Sequence, residues 1–172
     1  MNTNLKIAGL LLVSTALVTG CGKKKLESLP PVADGTGYGN GTDTSAGTGA
    51  IIPGSQADFV RSVSADRIFF DTDKFNVDAQ DQATLQSQAQ WLTQYANRRI
   101  TIEGHADERG TRDYNLALGE RRANAAKNYL ASLGIDSARI QTVSYGKERP
   151  QALGSTEDAW AQNRRAVTVT VQ

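Results

Sequence analysis

The sequence predicts an α+β sandwich over residues 56–172, with the element order β-α-β-α-β-β and helices packed on one face of a mixed four-stranded sheet. Short β-prone runs alternate with two long segments in which apolar residues recur at helical spacing. The region contains about 115 residues, a length that suits one hydrophobic core. A stretch rich in Gly, Thr and Ser precedes it, so one folded domain behind a linker is predicted.

The first half of the domain is predicted to contain two strands and one helix. A β-prone run at residues 67–70 ends in a polar turn and gives the first strand, and residues 99–103 give the second. Residues 78–96 between them are predicted to form a helix because apolar positions recur at helical spacing: Leu85, Ala89, Leu92 and Ala96.

The second half is predicted to begin with a long helix that Asp113 caps and that ends at Leu133, with Gly134 as the residue that stops it. Strands are predicted at residues 140–145 and 166–171, with a short helix between them near residues 156–161. These elements complete the predicted order.

Charge and composition exclude several classes of function. Lys and Arg total 19 and Asp and Glu total 18, so the net charge of +1 lacks the basic excess of a nucleic-acid-binding protein. One Cys and one His exclude an intramolecular disulfide, a cysteine-rich metal site and a multi-histidine zinc motif. We therefore expect no nucleic-acid partner and no cofactor.

Residues 1–20 are predicted to be a signal peptide. Lys6 precedes an apolar stretch at residues 7–19, which is shorter than the roughly 20 residues of a membrane-spanning helix. Val18-Thr19-Gly20-Cys21 resembles the lipobox of bacterial lipoproteins, which implies cleavage before Cys21 and lipidation of its thiol. The alternative is an ordinary signal peptide with an incidental cysteine.

Residues 21–55 are predicted to form a lipidated, flexible linker. Gly alternates with Thr, Ser, Asn and Asp in residues 30–55, which lack the apolar surface needed to offset the entropy of ordering. A Gly-rich coil of about 34 residues has a mean span of about 30–35 Å. Residue 22 is Gly and not the Asp that retains many bacterial lipoproteins at the inner membrane, so the lipobox resemblance implies the outer membrane.

A run of nine residues from Glu103 to Thr111 carries the most chemically informative side chains. If the second strand extended to Asp107, Glu103, His105 and Asp107 would point the same way and could hold a metal. Strand spacing supplies only one edge of such a site, and no second His completes a typical zinc set. Nothing marks a Ser near His105 as an activated nucleophile, so no enzyme is expected. A metal-binding domain and a hydrolase remain the alternatives.

Asp107 and Arg122 form a second candidate site. Asp107 follows the end of a strand, where ligands commonly bind, and the next helix opens with free N–H groups. Arg122 lies on the third turn of that helix, and its planar guanidinium matches a carboxylate. Together the two residues could recognise a zwitterion such as the free end of an amino acid. The alternative is an ion pair between them that fastens the loop to the helix.

Residues 67–172 resemble the OmpA-like peptidoglycan-binding domain. The family pattern is Gly-His-(Thr/Ala)-Asp followed by Asn-x-x-Leu-(Ser/Gly)-x-x-Arg-Ala, and it is matched from Gly104 to Ala123. Further runs match the lipid-anchored members of that family: residues 70–74, 119–125, 144–148 and 163–166. The lipobox and the linker fit the same members, so the resemblance covers nearly the whole chain.

This resemblance implies a non-enzymatic lipoprotein that binds peptidoglycan and tethers the outer membrane to the cell wall. It implies that Asp107 meets the ammonium of meso-diaminopimelate in the stem peptide and that Arg122 meets its carboxylate. It also implies membership of the Tol–Pal system, with TolB and TolA as partners and a role in envelope integrity and cell division.

Further positions follow from the same resemblance. The additional ligand positions are Thr72, Asp73, Arg109 and Leu118. A second group has two interpretations, either support of the site or packing over the sheet edge and pairing with acidic neighbours: Asn163, Arg164 and Arg165.

Overall fold

The computed structural model describes residues 50–171. The predicted signal peptide, Cys21 and residues 22–49 of the predicted linker lie outside the described residues. The helices and strands of the described part follow in chain order: α1 (Gln56–Ser62), β1 (Arg67–Phe69), α2 (Ala79–Gln94), β2 (Arg99–His105), α3 (Arg112–Ser132), β3 (Ile140–Gly146), α4 (Glu157–Asn163) and β4 (Arg165–Val171). A 3-10 turn at Ser137–Arg139 precedes β3.

The four strands form one mixed sheet in the order β1-β4-β2-β3. β2 and β3 are parallel, whereas β4 is antiparallel to both of its neighbours, β1 and β2. The α+β class and the mixed four-stranded sheet are therefore confirmed. The last strand in the chain lies inside the sheet, and the short strand β1 lies at one edge.

Alternation along the strands directs one side of the sheet toward α2 and α3. Ile100 and Ile102 of β2 are fully buried, and Thr168 of β4 donates a hydrogen bond to Gln88 of α2. The core fills the space between this face and the helices with large apolar side chains: Phe59, Ile68, Leu85, Leu92, Ile100, Ile102 and Leu130. This packing fixes the position of α3 over β2.

Two glycines bring α3 into direct contact with the end of β2. A Cβ on Gly104 would lie 1.8 Å from the carbonyl oxygen of Gly119, and a Cβ on Gly119 would lie 2.8 Å from that of Gly104. Beside them, Ser144 of β3 donates a 2.7 Å hydrogen bond to the carbonyl of Leu116. Only glycine permits this approach, which sets the first turns of α3 against the carboxyl end of the sheet.

Two local features differ from the sequence predictions, whereas the position of Asp107 beyond the end of β2 agrees with them. Thr111, and not Asp113, caps α3, because its hydroxyl accepts from the backbone N–H of Tyr114 while Asp113 lies in the first turn. Helix α1 was not predicted, since its seven residues bury only Phe59. Strand β2 ends at His105, so Asp107 is not part of it.

Candidate ligand-binding site

A cavity of about 280 Å³ opens at the carboxyl end of β2. It lies between the loop that follows β1, the loop that follows β2 and the first turns of α3. All six residues predicted as ligand positions line it: Thr72, Asp73, Asp107, Arg109, Leu118 and Arg122. The structure thus brings together side chains that are up to 50 positions apart in the sequence.

Arg122 forms the floor of this cavity and is fully buried. Its Nε donates to the carbonyl of Lys74 at 2.9 Å, Nη1 to that of His105 at 2.8 Å and Nη2 to that of Asp71 at 3.1 Å. One side chain on α3 therefore holds the loops that follow β1 and β2.

The charge of Arg122 has no carboxylate among its hydrogen-bond partners in residues 50–171. Burial lowers the pKa of Arg122 to about 10, so the guanidinium still carries its charge at neutral pH. The guanidinium also lies 5.1 Å from the centre of the Phe70 ring. A buried cation whose hydrogen bonds go only to carbonyl dipoles attracts an anion into the cavity.

Asp107 lies in the same cavity and is the partner of two other arginines. Its Oδ2 accepts from Nη2 of Arg109 at 2.6 Å and from Nη1 of Arg164 at 3.5 Å. Its Oδ1 accepts from Nε and from the backbone N–H of Arg109, both at 3.1 Å. The alternative of an Asp107–Arg122 ion pair is therefore wrong, because these partners surround the carboxylate instead.

The pKa of Asp107 lies below its usual value. Burial by itself would raise this pKa, but the hydrogen bonds and the charge of Arg109, together with the hydrogen bond of Arg164, outweigh it. Asp107 is thus an ionised carboxylate at neutral pH, able to accept from an ammonium.

Arg164 supports Asp107 from the side away from solvent. Its Nε donates to the carbonyl of Phe70 at 2.9 Å and its Nη2 to Glu157 at 2.7 Å. Asn163 and Arg165 act elsewhere: the amide oxygen of Asn163 accepts from the backbone of Gln151 and Ala152, and Nη2 of Arg165 donates to the carbonyl of Arg149. Within this trio, Arg164 alone contacts a predicted ligand residue.

The mouth of the cavity is formed by side chains that reach each other across loops. Nη2 of Arg109 donates to the Thr72 hydroxyl at 3.2 Å, and the Tyr114 hydroxyl donates to Asp73 at 3.2 Å. Asp73 has a φ of 57°, a left-handed conformation that Asp tolerates better than most residues. The Arg109 guanidinium lies 4.2 Å from the ring centre of Trp160.

Sequence reasoning missed three residues of this site. Tyr114 and Asn115 line the cavity, and the amide of Asn115 donates to the carbonyl of Arg109 at 2.7 Å. Asn115 stands in the family pattern and could have been included on that signal. Trp160 lies in the short helix α4, and no pattern in the sequence links it to Arg109.

The alternative metal site is wrong in its geometry. His105 is buried beside Tyr145, its Nε2 lies 3.8 Å from the Glu103 carboxylate, and Asp107 faces the cavity with its arginine partners. No cluster of three or more His, Cys, Asp and Glu suited to a metal occurs within residues 50–171.

The helices of the described region are not membrane spans: within residues 50–171, none combines the length and the apolar character that crossing a bilayer requires.

The sequence of this chain is similar to those of known proteins. A model of the OmpA family matches residues 69–164. The peptidoglycan-associated lipoprotein of Rhizobium meliloti is 55% identical over 158 residues, covering 92% of this chain and 84% of that protein. The protein of that name from Pseudomonas aeruginosa is 40% identical over 158 residues, 90% of each chain.

A solved structure extends the likeness to three dimensions. The crystal structure of the peptidoglycan-associated lipoprotein from Burkholderia pseudomallei is 45% identical and has a TM-score of 0.62, covering 66% of this chain and 100% of that one. The range matched by the family model contains every residue that lines the cavity, from Thr72 to Arg122, and also Arg164, which pairs with Asp107.

Proposed function

The chain belongs to the OmpA family, and from that premise we propose that it is an outer-membrane lipoprotein that binds peptidoglycan without catalysis, through meso-diaminopimelate of the stem peptide. One observation carries the proposal: an ionised carboxylate, Asp107, and a buried guanidinium that no carboxylate of the described region pairs with, Arg122, line one small cavity. These are the two charges that a zwitterion requires.

The chemistry of each partner fits one group of the ligand. Asp107 accepts from the ammonium, and Arg122 donates to the carboxylate on the same carbon. A guanidinium has five N–H donors, and three of those in Arg122 are bound to carbonyls, which leaves one on each terminal nitrogen. Charge-assisted hydrogen bonds of this kind contribute about 1.5–3 kcal/mol each.

Titration calorimetry on the full chain in detergent tests the ligand. The ligand is a stem peptide that ends in meso-diaminopimelate, and the comparison is a peptide with Lys in that position, which lacks the second carboxylate. We expect Asp107→Asn to weaken binding about 10–100-fold, the equivalent of one or two charge-assisted contacts. Asp113→Asn is the matched control, because Asp113 is exposed and lies in the first turn of α3, shortly after the loop that carries Asp107. Equal affinity for both peptides, or unchanged affinity in Asp107→Asn, would contradict the proposal.

A hydrolase is the competing function, and incubation of purified sacculi with the chain separates the two. Binding predicts co-sedimentation with intact sacculi, whereas hydrolysis predicts release of soluble fragments. Release that persists in Asp107→Asn would indicate a catalytic centre elsewhere in the molecule.

We propose that the chain is anchored by lipid on Cys21 and that residues 22–55 act as a tether. The relatives are named lipoproteins, and Val18-Thr19-Gly20-Cys21 resembles a lipobox. Cys21→Ser is expected to leave the chain uncleaved or released into the periplasm, which membrane fractionation measures. A correctly processed variant that stays in the outer membrane would rule out this anchor.

The same premise supports a place in the Tol–Pal system, with TolB and TolA as partners and a role in cell division. Co-purification with TolB and TolA of the same organism tests it. If TolB binds over the cavity, sacculi are expected to compete with TolB for the chain. Failure of the chain to retain either partner would contradict this assignment.

A further inference from the structure

Arg109 is bound to the carboxylate that the proposed function assigns to the ligand's ammonium. Its guanidinium spans both oxygens of Asp107, at 2.6 Å from Oδ2 and 3.1 Å from Oδ1. The side chain of Arg109 is 38% exposed and that of Asp107 is 9% exposed, so Arg109 covers the carboxylate on its solvent side. An ammonium that enters the cavity must therefore replace Arg109.

The charges around Asp107 favour ligands that bring a carboxylate. Three guanidinium groups, those of Arg109, Arg122 and Arg164, lie around the cavity, and two of them already neutralise Asp107. Of these three groups, Arg122 is the one that pairs with no carboxylate between residues 50 and 171. A ligand with an ammonium alone exchanges the Arg109–Asp107 ion pair for its own ion pair with Asp107. It competes there with Arg109, which belongs to the same chain and therefore has a high effective concentration. A ligand that also carries a carboxylate gains the contact with Arg122.

If the Arg109 guanidinium leaves Asp107, it retains a favourable contact at the mouth of the cavity. Trp160 lies under it at 4.2 Å and offers a cation–π contact that does not depend on Asp107. The indole N–H of Trp160 donates to Glu108 at 3.0 Å, which fixes the ring at the mouth of the cavity. Glu157, which pairs with Arg164, supplies a second acidic group on the same side. Arg109 can therefore leave Asp107 without leaving the mouth, where it faces an incoming carboxylate.

We propose that Arg109 is a specificity-determining residue, which pairs with Asp107 and yields it to ligands that join an ammonium to a carboxylate. This inference rests on the proposed function. For a zwitterion, the loss of the Arg109–Asp107 pair is offset by the contact of the released Arg109 with the carboxylate. For a simple ammonium there is no such offset.

The test compares two peptides on three proteins by titration calorimetry of the full chain in detergent. The peptides end in meso-diaminopimelate or in Lys, and the proteins are the wild type, Arg109→Gln and Arg112→Gln. Arg112 is the matched control because it is exposed, begins α3 and pairs with Glu148 instead of Asp107. In Arg109→Gln we expect affinity for the Lys peptide to rise about tenfold, the scale of one charge-assisted contact, and affinity for the diaminopimelate peptide to change less than about threefold.

Two outcomes overturn the inference. If Arg109→Gln weakens the binding of both peptides equally, Arg109 is an ordinary contact of the cavity wall. If the affinity for the Lys peptide is unchanged, Arg109 does not compete for Asp107. If the wild type binds neither peptide, the proposed function fails and this inference with it.

A measurement without ligand separates the pairing itself from the function. NMR titration of the Asp107 carboxyl is expected to give a higher pKa in Arg109→Gln than in the wild type, because the first partner of the carboxylate is removed. An unchanged pKa would show that Arg109 does not hold Asp107 in solution, whatever the peptides do.

Discussion

The floor and the mouth of the cavity hold their positive charges in opposite ways. At the floor, Arg122 is fully buried and donates to three backbone carbonyls beside the contact of Gly104 with Gly119. At the mouth, Arg109 is half-exposed, pairs with a carboxylate and stacks on an aromatic ring. The floor charge is fixed by the backbone, whereas the mouth charge is held by side chains.

This difference separates residues that position the backbone around the cavity from residues that contact one another at its mouth. Floor residues determine where the loops and α3 lie, so a change there affects the fold and the ligand together. Mouth residues contact one another through side chains, so a change there affects the ligand while the fold persists. The following substitutions test this division, from the largest expected effect to the smallest.

Gly104→Ala is expected to have the largest effect on stability. The new Cβ would lie 1.8 Å from the Gly119 carbonyl oxygen, a backbone atom that moves only if α3 moves. We expect the free energy of unfolding to fall by at least about 3 kcal/mol, measured by urea denaturation. Gly134→Ala is the control, because its Cβ would meet nothing within 4 Å. Its φ of +94° alone is expected to lower the free energy of unfolding, by about 1–2 kcal/mol. Equal losses would mean that the glycine contact does not position α3.

Arg122→Met keeps the length of the side chain and removes its donors. Three backbone carbonyls, one of them buried, lose a charged partner, so we expect a loss of about 2–4 kcal/mol in the free energy of unfolding and no measurable binding of the diaminopimelate peptide. Arg109→Gln provides the contrast and is expected to leave the unfolding midpoint in urea near that of the wild type. If the two variants lose stability equally, the division between floor and mouth is wrong.

Tyr114→Phe removes one hydroxyl from the mouth. Its hydrogen bond to Asp73 orders the loop after β1, and a bond of this type contributes about 0.5–1.5 kcal/mol. We expect peptide affinity to fall less than about tenfold and the free energy of unfolding to fall by about 0.5 kcal/mol, the lower end of that range, because the bond is exposed. Tyr129→Phe is the matched control, since that hydroxyl contacts Gln86, away from the cavity. An equal effect in both variants would exclude a specific role for the mouth hydroxyl.

The titration of His105, whose carbonyl binds Arg122 at the floor, is expected to make the stability of the folded chain weakly dependent on pH. Burial lowers its pKa, the nearby Arg165 and Arg149 lower it further, and Glu103 opposes them. The unfolded chain then binds more protons than the folded one below pH about 6.5, so stability declines as the pH falls through that value toward the folded pKa. Melting temperatures from pH 7.5 to 5 are expected to decline less steeply in His105→Gln. Parallel declines would assign the dependence to other groups.

The sequence predicted the elements that span several turns or carry regular alternation. α2, β1, β2, β3 and β4 lie within about two residues of their predicted bounds. The cap of α3 was assigned wrongly because Thr111 and Asp113 are both good capping residues, and only the extended backbone at Thr111 distinguishes them. α1 is too short to show helical periodicity.

The site was predicted in its residues but not in its pairing. Family resemblance indicated Asp107 and Arg122, and both line the cavity. Sequence spacing could not show that Arg109 and Arg164 hold Asp107, because Arg164 is 57 positions away and several arginines compete for one carboxylate. Which of these arginines pairs with the Asp107 carboxylate is determined by the folded structure and not by the spacing in the sequence.

The place of β4 in the sheet has a consequence for the timing of folding. β4 comes last along the chain, yet it lies between β1 and β2 and joins the edge strand to the rest of the sheet. Until residues 165–171 are available, β1 has no neighbour, Arg164 is not in place beside Asp107, and the remaining pairing of β2 with β3 leaves an open edge. Such long-range pairing is slow to form, and we expect a chain still emerging from a ribosome to lack the complete sheet until β4 is available. We expect a chain truncated before Arg164 to lack the folded sheet altogether.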